Sequence, residues 1–234
     1  MEAPGRHTNV RYEQELAELR AALLKMGCLV DEQISRAIDS LVRRDSAKAR
    51  ETIARDADVN RLDIEIDERS IRLIALYQPE AGDLRLITTG LKITTDLERI
   101  GDNAVNICER VLELEQQPEL ALPADIRQMV VIAQSMVRDS IEAFTRGDTV
   151  IAEQVIARDD EVDRINRLIH REVLTGMAET PRIAPAATQI LFISKYLERI
   201  ADHATNVAEM VVFMVKGLTL RHMDANRRRS ARDG

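Results

Sequence analysis

Two stretches of this sequence occur twice, in the same order and at nearly the same separation. Residues 52–63 (TIARDADVNRLD) match 155–166 (VIARDDEVDRIN), and residues 97–107 (LERIGDNAVNI) match 197–207 (LERIADHATNV). The offsets are 103 and 100 residues, and a connection between the two blocks can absorb the difference. Ordered matches at such similar offsets indicate a tandem duplication. The chain must therefore fold as two copies of one unit.

Each unit is predicted to contain three helices. The predicted ranges are about 10–43, 46–77 and 83–115 in the first copy, and about 124–146, 149–177 and 185–216 in the second. The third element shows the helical period most clearly, with apolar residues at steps of mostly three or four: Leu86, Ile87, Leu91, Ile93, Leu97, Ile100, Ala104 and Ile107. Long helices joined by short turns lie antiparallel. The predicted fold is all-α, a tandem duplication of a three-helix bundle (1–117 and 118–217), followed by a basic tail (218–234) that is expected to be disordered.

Composition excludes several classes of protein. Apolar residues make up 45% of the chain but aromatic residues only 3%, so the core must be packed with aliphatic side chains, as in helical bundles. No apolar run is long enough to cross a membrane, and the N-terminus lacks the apolar core of a secretory signal. Cys28 and Cys108 lie 80 residues apart without a partner spacing, which favours buried, reduced thiols and a cytoplasmic location. The net charge of -7 argues against DNA binding as the main activity.

Acidic residues recur at helical spacing in both copies. Glu98 and Asp102 are four residues apart, hence on one helix face, and Glu198 and Asp202 repeat this spacing. On the preceding helices the corresponding residues are Asp56, Asn60 and Asp63 in the first copy, and Asp159 and Asp163 in the second. Like charges at this spacing destabilise a helix unless something neutralises them. If the two helices are antiparallel neighbours, four to six oxygen ligands would converge in each bundle, which is typical of a hard-cation site.

The same residues have a structural interpretation. Arg99 and Arg199 each follow the glutamate of the motif, and Arg61 and Arg164 lie within the other repeated block. The carboxylates would then form solvated faces paired with arginine, and each pair would contribute at most about 1 kcal/mol. Recurrence in both copies, next to Asn106 and Asn206, favours the metal site over this alternative without excluding it.

Catalytic motifs are lacking. The sequence has no glycine-rich phosphate loop, no nucleophile elbow and no Cys-x-x-Cys pair. A di-metal carboxylate enzyme of ferritin-like type would use Glu-x-x-His motifs, but no histidine here has a glutamate three residues before it. Only His203 joins a repeated motif, either as a peripheral ligand or as a polar surface group. A helical adaptor without metal remains an open alternative.

The motif helices resemble the PhoU family. The resemblance is carried by 83–85 (DLR), 91–92 (LK) and 96–102 (DLERIGD) in the first copy, and by 195–206 (KYLERIADHATN) in the second. It extends from about Tyr12 to Gly217 and includes the duplication; the arginine-rich tail lies outside it. Glu98, Asp102, Glu198 and Asp202 match the acidic motif of the family. Asp56, Asp159 and Asp163 match its partner on the second helix, whereas Asn60 departs from the pattern, which implies a weaker neutral ligand in the first copy.

The resemblance implies a function as well as a fold. Proteins similar to PhoU are two tandem three-helix bundles, often dimeric, and some members bind metal clusters; iron, zinc, manganese and magnesium are associated with the family. Members repress the phosphate-starvation response when phosphate is plentiful, through a membrane sensor kinase and the ATPase subunit of the phosphate transporter. The expectation is therefore a non-enzymatic, cytoplasmic, homodimeric regulator that contacts the transporter ATPase and the histidine kinase. It would be peripheral to the membrane through these partners and would not bind nucleic acid directly.

Overall fold

Six long helices account for nearly all of the residues that the structure describes. The structure is a computed structural model that describes residues 4–117 and 120–217, with side chains from Val10 onward. The helices are α1 (Pro4–Arg43), α2 (Ser46–Tyr77), α3 (Ala81–Glu115), α4 (Ala124–Arg146), α5 (Thr149–Glu179) and α6 (Ala184–Lys216), with a 3-10 turn at Pro181–Ile183. The predicted all-α fold is confirmed. The predicted tail, 218–234, lies outside the described residues.

Helix ends fall within a few residues of the predicted positions. The two largest shifts at the starts are α1, which begins at Pro4 rather than near residue 10, and α3, which begins at Ala81 rather than near 83. Proline is tolerated in a first helical turn, where its missing N–H has no intrahelical acceptor, so Pro4 can open α1. Periodicity of apolar residues does not detect this start, because residues 4–9 (PGRHTN) include no large apolar residue.

The turn between the first two helices of each bundle is built in the same way twice. In the first, Arg44 has φ 53° and the Asp45 N–H donates to the Ser40 carbonyl at 2.9 Å. In the second, Gly147 has φ 62° and the Asp148 N–H donates to the Ala143 carbonyl at 2.9 Å. This is the Schellman arrangement, which satisfies a carbonyl at the helix end. Asp45 and Asp148 then cap the next helix, since their carboxylates accept from the N–H groups of Lys48 and Val150.

The two bundles lie side by side, with α3 against α6 and α1 against α4. Residues 91–101 of α3 and 191–201 of α6 have the same succession of buried, half-buried and exposed positions, so the duplication is preserved in burial as well as in sequence. The buried faces of both helices are aliphatic and include Ile93, Ile100, Ile193 and Ile200. Across the described residues, no helix is both long enough and apolar enough to span a membrane.

The expectation of two buried thiols is wrong for one of them. Cys108 is fully buried, and burial raises the pKa of its thiol to about 11. Cys28 is exposed, because it falls between the buried positions Met26 and Val30 on α1. Both cysteines are free.

The crossing of α1 and α4 depends on Gly27. A Cβ at this position would lie 2.8 Å from Cδ1 and 3.1 Å from Cγ1 of Ile141, distances that real Cβ atoms do not tolerate without movement. We expect Gly27→Leu to lower the free energy of unfolding by about 1–3 kcal/mol, because the crossing becomes overpacked. Ile141→Ala in the same chain should restore part of the loss. Chemical denaturation of the two single variants and the double variant measures this coupling. Additive losses would show that the two helices do not meet here.

Candidate acidic clusters

The first repeat brings its acidic residues to the facing sides of α2 and α3. Burial raises the pKa of the Glu98 carboxyl, and the neighbouring carboxylates of Asp102, Asp63 and Asp56 raise it further. Burial and the Asp67 carboxylate likewise raise the pKa of Asp63. Each shift reports negative charge held close to a partly buried carboxyl. We call the set of Asp56, Asn60, Asp63, Glu98 and Asp102 the first acidic cluster.

Amide side chains surround Asp56. Gln33 of α1 donates from Nε2 to Asp56 Oδ1 at 3.0 Å, and Asn60 donates from Nδ2 to Asp56 Oδ2 at 2.9 Å. Gln33 is only 4% exposed, yet its Oε1 has no hydrogen-bond partner in the described part of the chain. A Cβ at Gly101 would lie 2.9 Å from this oxygen, so glycine is needed here for the close approach of α1 and α3. A buried acceptor oxygen without a donor, Gln33 Oε1, therefore lies beside the first acidic cluster.

Arg99 neutralises part of the first acidic cluster. Its Nε lies 3.3 Å from Glu98 Oε2 and its NH1 lies 3.0 Å from Asp102 Oδ2. The guanidinium is more than half exposed, so solvent weakens both ion pairs. The predicted pairing of the carboxylates with Arg99 is therefore present in the structure. It does not cancel the effects of burial and of the other carboxylates, because the pKa of Glu98 remains raised.

The second acidic cluster consists of Asp159, Asp163, Glu198 and Asp202, on α5 and α6. Partial desolvation raises the pKa of Asp202, and the Glu198 and Asp163 carboxylates raise it further, although Asp202 keeps contact with solvent. Here the nearby cation is Lys195, which pairs with Glu198, whereas Arg199 lies over the Tyr196 ring at 6.0 Å.

The two aspartates on the α5 side of the second acidic cluster contact side chains of both α5 and α6. Asp163 lies 3.8 Å from Arg167 NH1, and Asp159 accepts from the Thr205 hydroxyl at 3.4 Å. The second acidic cluster has a carboxylate, Asp163, at the position of Asn60, an amide, Asn166, at the position of Asp63, and a different nearby cation, so the two clusters are not chemically equivalent.

A contact between the repeats escaped the sequence analysis. Asp96 of α3, whose side chain is 13% exposed, lies 2.9 Å from His203 Nδ1 and accepts from Asn206 Nδ2 at 3.0 Å. His203 is thus neither a free surface group nor directed at the carboxylates beside it. The sequence does contain a sign of this contact, because the two copies differ at both positions. Asp96 aligns with Tyr196, and His203 aligns with Asn103. Such differences point to contacts that only one copy makes.

The residue types of the two acidic clusters are suited to binding a cation, but their present arrangement is not. In the described ranges, no three Asp, Glu, His or Cys side chains are arranged so that they could hold one metal ion. The donor set nevertheless consists of carboxylate and amide oxygens, which hard divalent cations prefer. The unpartnered Gln33 Oε1 and the raised pKa of Glu98 both indicate excess negative potential. To hold an ion, the carboxylates would have to turn away from Asn60, Arg99 and Lys195.

Fold and site together define a class of protein: a duplicated three-helix bundle with one acidic cluster on the second and third helices of each bundle. The PhoU domain family matches residues 23–111 and 126–211, one stretch in each repeat. The chain is 42% identical over 212 residues to a Caulobacter vibrioides protein named phosphate-specific transport system accessory protein PhoU homolog, covering 90% of this chain and 92% of that one. A relative of the same name from Aquifex aeolicus is 42% identical over 209 residues, covering 89% and 95%.

Solved structures agree with the sequence comparison. The crystal structure of PhoU from Pseudomonas aeruginosa superposes with a TM-score of 0.86 at 37% identity, covering 88% of this chain and 100% of that one. The phosphate transport system regulatory protein PhoU from Streptococcus pneumoniae gives a TM-score of 0.83 at 31% identity, covering 89% and 98%. The chain belongs to the PhoU family.

Stability should depend on pH through Glu98. Because its folded-state pKa is raised above the ordinary value of 4.5, ionisation of Glu98 destabilises the folded chain. This loss is complete above the folded-state pKa and disappears as the pH falls below the unfolded-state value. In buffer with a chelator, we expect Glu98→Gln to raise the free energy of unfolding at neutral pH by about 0.5 kcal/mol, and the gain to vanish near pH 4. Urea unfolding across this pH range measures it.

The matched control is Glu113→Gln, an exposed position near the end of α3. It should change stability by less than about 0.3 kcal/mol at either pH. A Glu98→Gln variant that is less stable than the parent at neutral pH, without metal, would contradict the repulsion inferred from the first acidic cluster.

Proposed function

We propose that this protein is a non-enzymatic regulator of phosphate uptake, which represses the phosphate-starvation response when phosphate is plentiful. It would act by linking the ATPase subunit of the phosphate transporter to a phosphate-sensing histidine kinase in the cytoplasm, as a homodimer. The observation that carries this proposal is membership of the PhoU family over nearly the whole described chain. The relatives are named as accessory and regulatory proteins of phosphate transport.

The architecture supports regulation by contact. The described helices leave exposed apolar side chains on several faces, including Ile64 and Ile71 on α2 and Phe192 on α6, each at least 46% exposed. Apolar side chains on charged helical faces are suited to docking, as they add area that a partner can bury. A rigid bundle with such faces can contact two proteins in turn without catalysing a reaction.

We also propose that each acidic cluster binds divalent metal, with iron, zinc, manganese and magnesium as candidates. Asp56, Asn60, Glu98 and Asp102 would hold it in the first repeat, and Asp159, Asp163, Glu198 and Asp202 in the second. A cation between α2 and α3, or between α5 and α6, would offset the burial and the repulsion between carboxylates that raise the pKa of Glu98 and Asp202. The metal would act structurally, by holding neighbouring helices together.

A metal-free helical adaptor is the second candidate, and one observation favours it. Arg99 and Lys195 already pair with the glutamates of the two motifs, and Asn60 with Asp56. In that case the acidic clusters would be docking faces for basic surfaces. The two candidates differ in what removal of metal does to the folded chain.

Elemental analysis separates these candidates. We expect the purified, untagged protein to carry stoichiometric divalent metal, and a chelator to lower its Tm, because an ion bound only to the folded state stabilises it. The fourfold variant Glu98→Gln, Asp102→Asn, Glu198→Gln, Asp202→Asn should contain no metal and should not respond to chelator. If neither protein contains metal and the fourfold variant folds like the parent, the metal-free adaptor is the correct candidate.

The regulatory role is tested in cells of the organism that encodes the chain. Deletion of the gene should turn on a phosphate-starvation reporter in phosphate-rich medium, and the wild-type chain should restore repression. If the clusters serve regulation, the double variant Glu98→Ala, Glu198→Ala should fold but restore repression poorly, with Glu113→Ala as the control. A reporter that stays off in the deletion strain would refute the regulatory role. If the double variant binds its partners and represses normally, the acidic clusters have no role in regulation.

A further inference from the structure

The first helix of the bundle is longer in the first repeat than in the second, so it covers more of the other two helices there. Helix α1 has 40 residues, whereas α4, its counterpart in the second repeat, has 23. With the offset of 103, Ala124 at the start of α4 corresponds to Ala21 of α1. The turns of α1 that precede Ala21 therefore have no equivalent in the second repeat.

In the first repeat these extra turns form part of the core. Leu16 and Leu19 are buried against α2 and α3, and the Tyr12 ring lies 5.2 Å from the Tyr77 ring between centroids. The Tyr12 hydroxyl donates to Asp83 Oδ2 at 2.8 Å. Farther along, Arg69 NH1 lies 2.7 Å from Glu18 Oε2. An amphipathic helix segment thus closes the end of the bundle formed by the last turns of α2 and the first turns of α3.

In the second repeat the same place is an open groove of about 580 Å3. It runs between the last turns of α5 and the first turns of α6, and residues 120–125 close one end. Its apolar lining includes Leu168, Val173, Gly176, Ile183, Ala187 and Ile190. These positions correspond to those that the first turns of α1 cover in the first repeat. Beside the groove, Leu174 is 54% exposed.

At two positions of the groove lining a small residue stands where the first repeat has a large one, whereas Val173 and Ile190 are larger than their counterparts Ser70 and Gly90. Gly176 corresponds to Leu73, and Ala187 to Ile87. A Cβ at Gly176 would meet only Ile183 Cδ1, at 3.6 Å, so space remains above the glycine. The groove can therefore accept leucine or aromatic side chains from a helix that lies along α5 and α6, as Leu16 and Leu19 do in the first repeat.

The rim of the groove is acidic. Asp125, Glu172 and Glu179 line it, and Arg171 is the one basic residue among its described lining. A helix that binds here would gain from lysine or arginine on its flanks, because opposite charges at a rim favour encounter and orientation.

We propose that this groove binds an amphipathic helix of a partner protein, with apolar side chains spaced like Tyr12, Leu16, Leu19 and Leu23 and with basic residues on its flanks. Binding would complete the second bundle in the way that the first turns of α1 complete the first. Only the identity of the partner, as a component of phosphate transport or signalling, rests on the proposed function. The groove and the chemistry of the helix that fits it are independent of that function.

The test uses a synthetic peptide of about 18 residues, five turns of helix, with apolar residues at that spacing and lysine on the flanks. We expect saturable binding to the full-length protein, with a Kd on the order of micromolar, by fluorescence anisotropy or calorimetry. Gly176→Leu should weaken binding about tenfold or more by filling the groove, whereas Gly176→Ala, which fits the same backbone, should leave it within about twofold. A peptide with glutamate on the flanks, or the variant Glu172→Lys, Glu179→Lys, should also lose about tenfold. Glu68→Lys, at an exposed position of α2 in the first repeat, should change little.

Several results would overturn the proposal. These are no saturable binding, equal binding by Gly176→Leu with its folding intact by circular dichroism, or equal binding of the glutamate peptide. Loss of a dimer in Gly176→Leu, without peptide binding by the parent, would show that a second copy of the chain covers the groove, and the partner-helix proposal would be wrong. The deletion phenotype decides the proposed function separately, because the peptide assay contains neither the transporter nor the kinase.

Discussion

The packing of α3 against α6 is the constraint on which the rest of the structure depends. Each of these helices contacts two helices of its own bundle and also its counterpart in the other, so a large part of its surface is apolar and buried. Charged residues are left on the remaining side of each helix. Glu98 and Asp102 lie on that side of α3, and Glu198 and Asp202 lie on that side of α6. Each of these pairs is close enough to the acidic residues of the neighbouring helix for their charges to interact.

The carboxylates on these sides make the bundle less stable than neutral side chains would. Partial burial, and then neighbouring carboxylates, raise the pKa of Glu98, Asp63 and Asp202, which is the physical sign of this cost. Elsewhere on the surface the chain pairs its charges in the ordinary way, since arginine and lysine lower the pKa of Asp39, Glu51 and Glu18. The contrast shows that the composition does not lack cations. An external cation or a basic surface beside Glu98 or Asp202 would relieve the cost of ionising these carboxyls.

Much of the fold could be predicted because helical period, turn residues and duplication all gave the same answer. The cap residues Asp45 and Asp148 and the left-handed Gly147 mark their turns locally, so their roles follow from neighbouring residues alone. The side-by-side placement of the bundles could not be predicted in this way. It depends on Gly27 meeting Ile141 and on Asp96 meeting His203, contacts between residues more than 100 positions apart that share no local pattern. Within the acidic clusters, residue type and helix face could be predicted, but the choice of cation could not: Arg99 pairs in one copy while Arg199 turns to Tyr196 in the other.

Duplication also explains why the open groove is informative. In two copies of one unit, the same positions of the second and third helices are either covered or left open. The first copy covers them with the early turns of α1, while the second lacks these turns and has Gly176 and Ala187 in place of Leu73 and Ile87. These two small residues fill less space, so a groove remains instead of a compact surface. Ile183 lines this groove inside an acidic rim, and the two features together suit a partner segment that is apolar on one face and basic on its flanks.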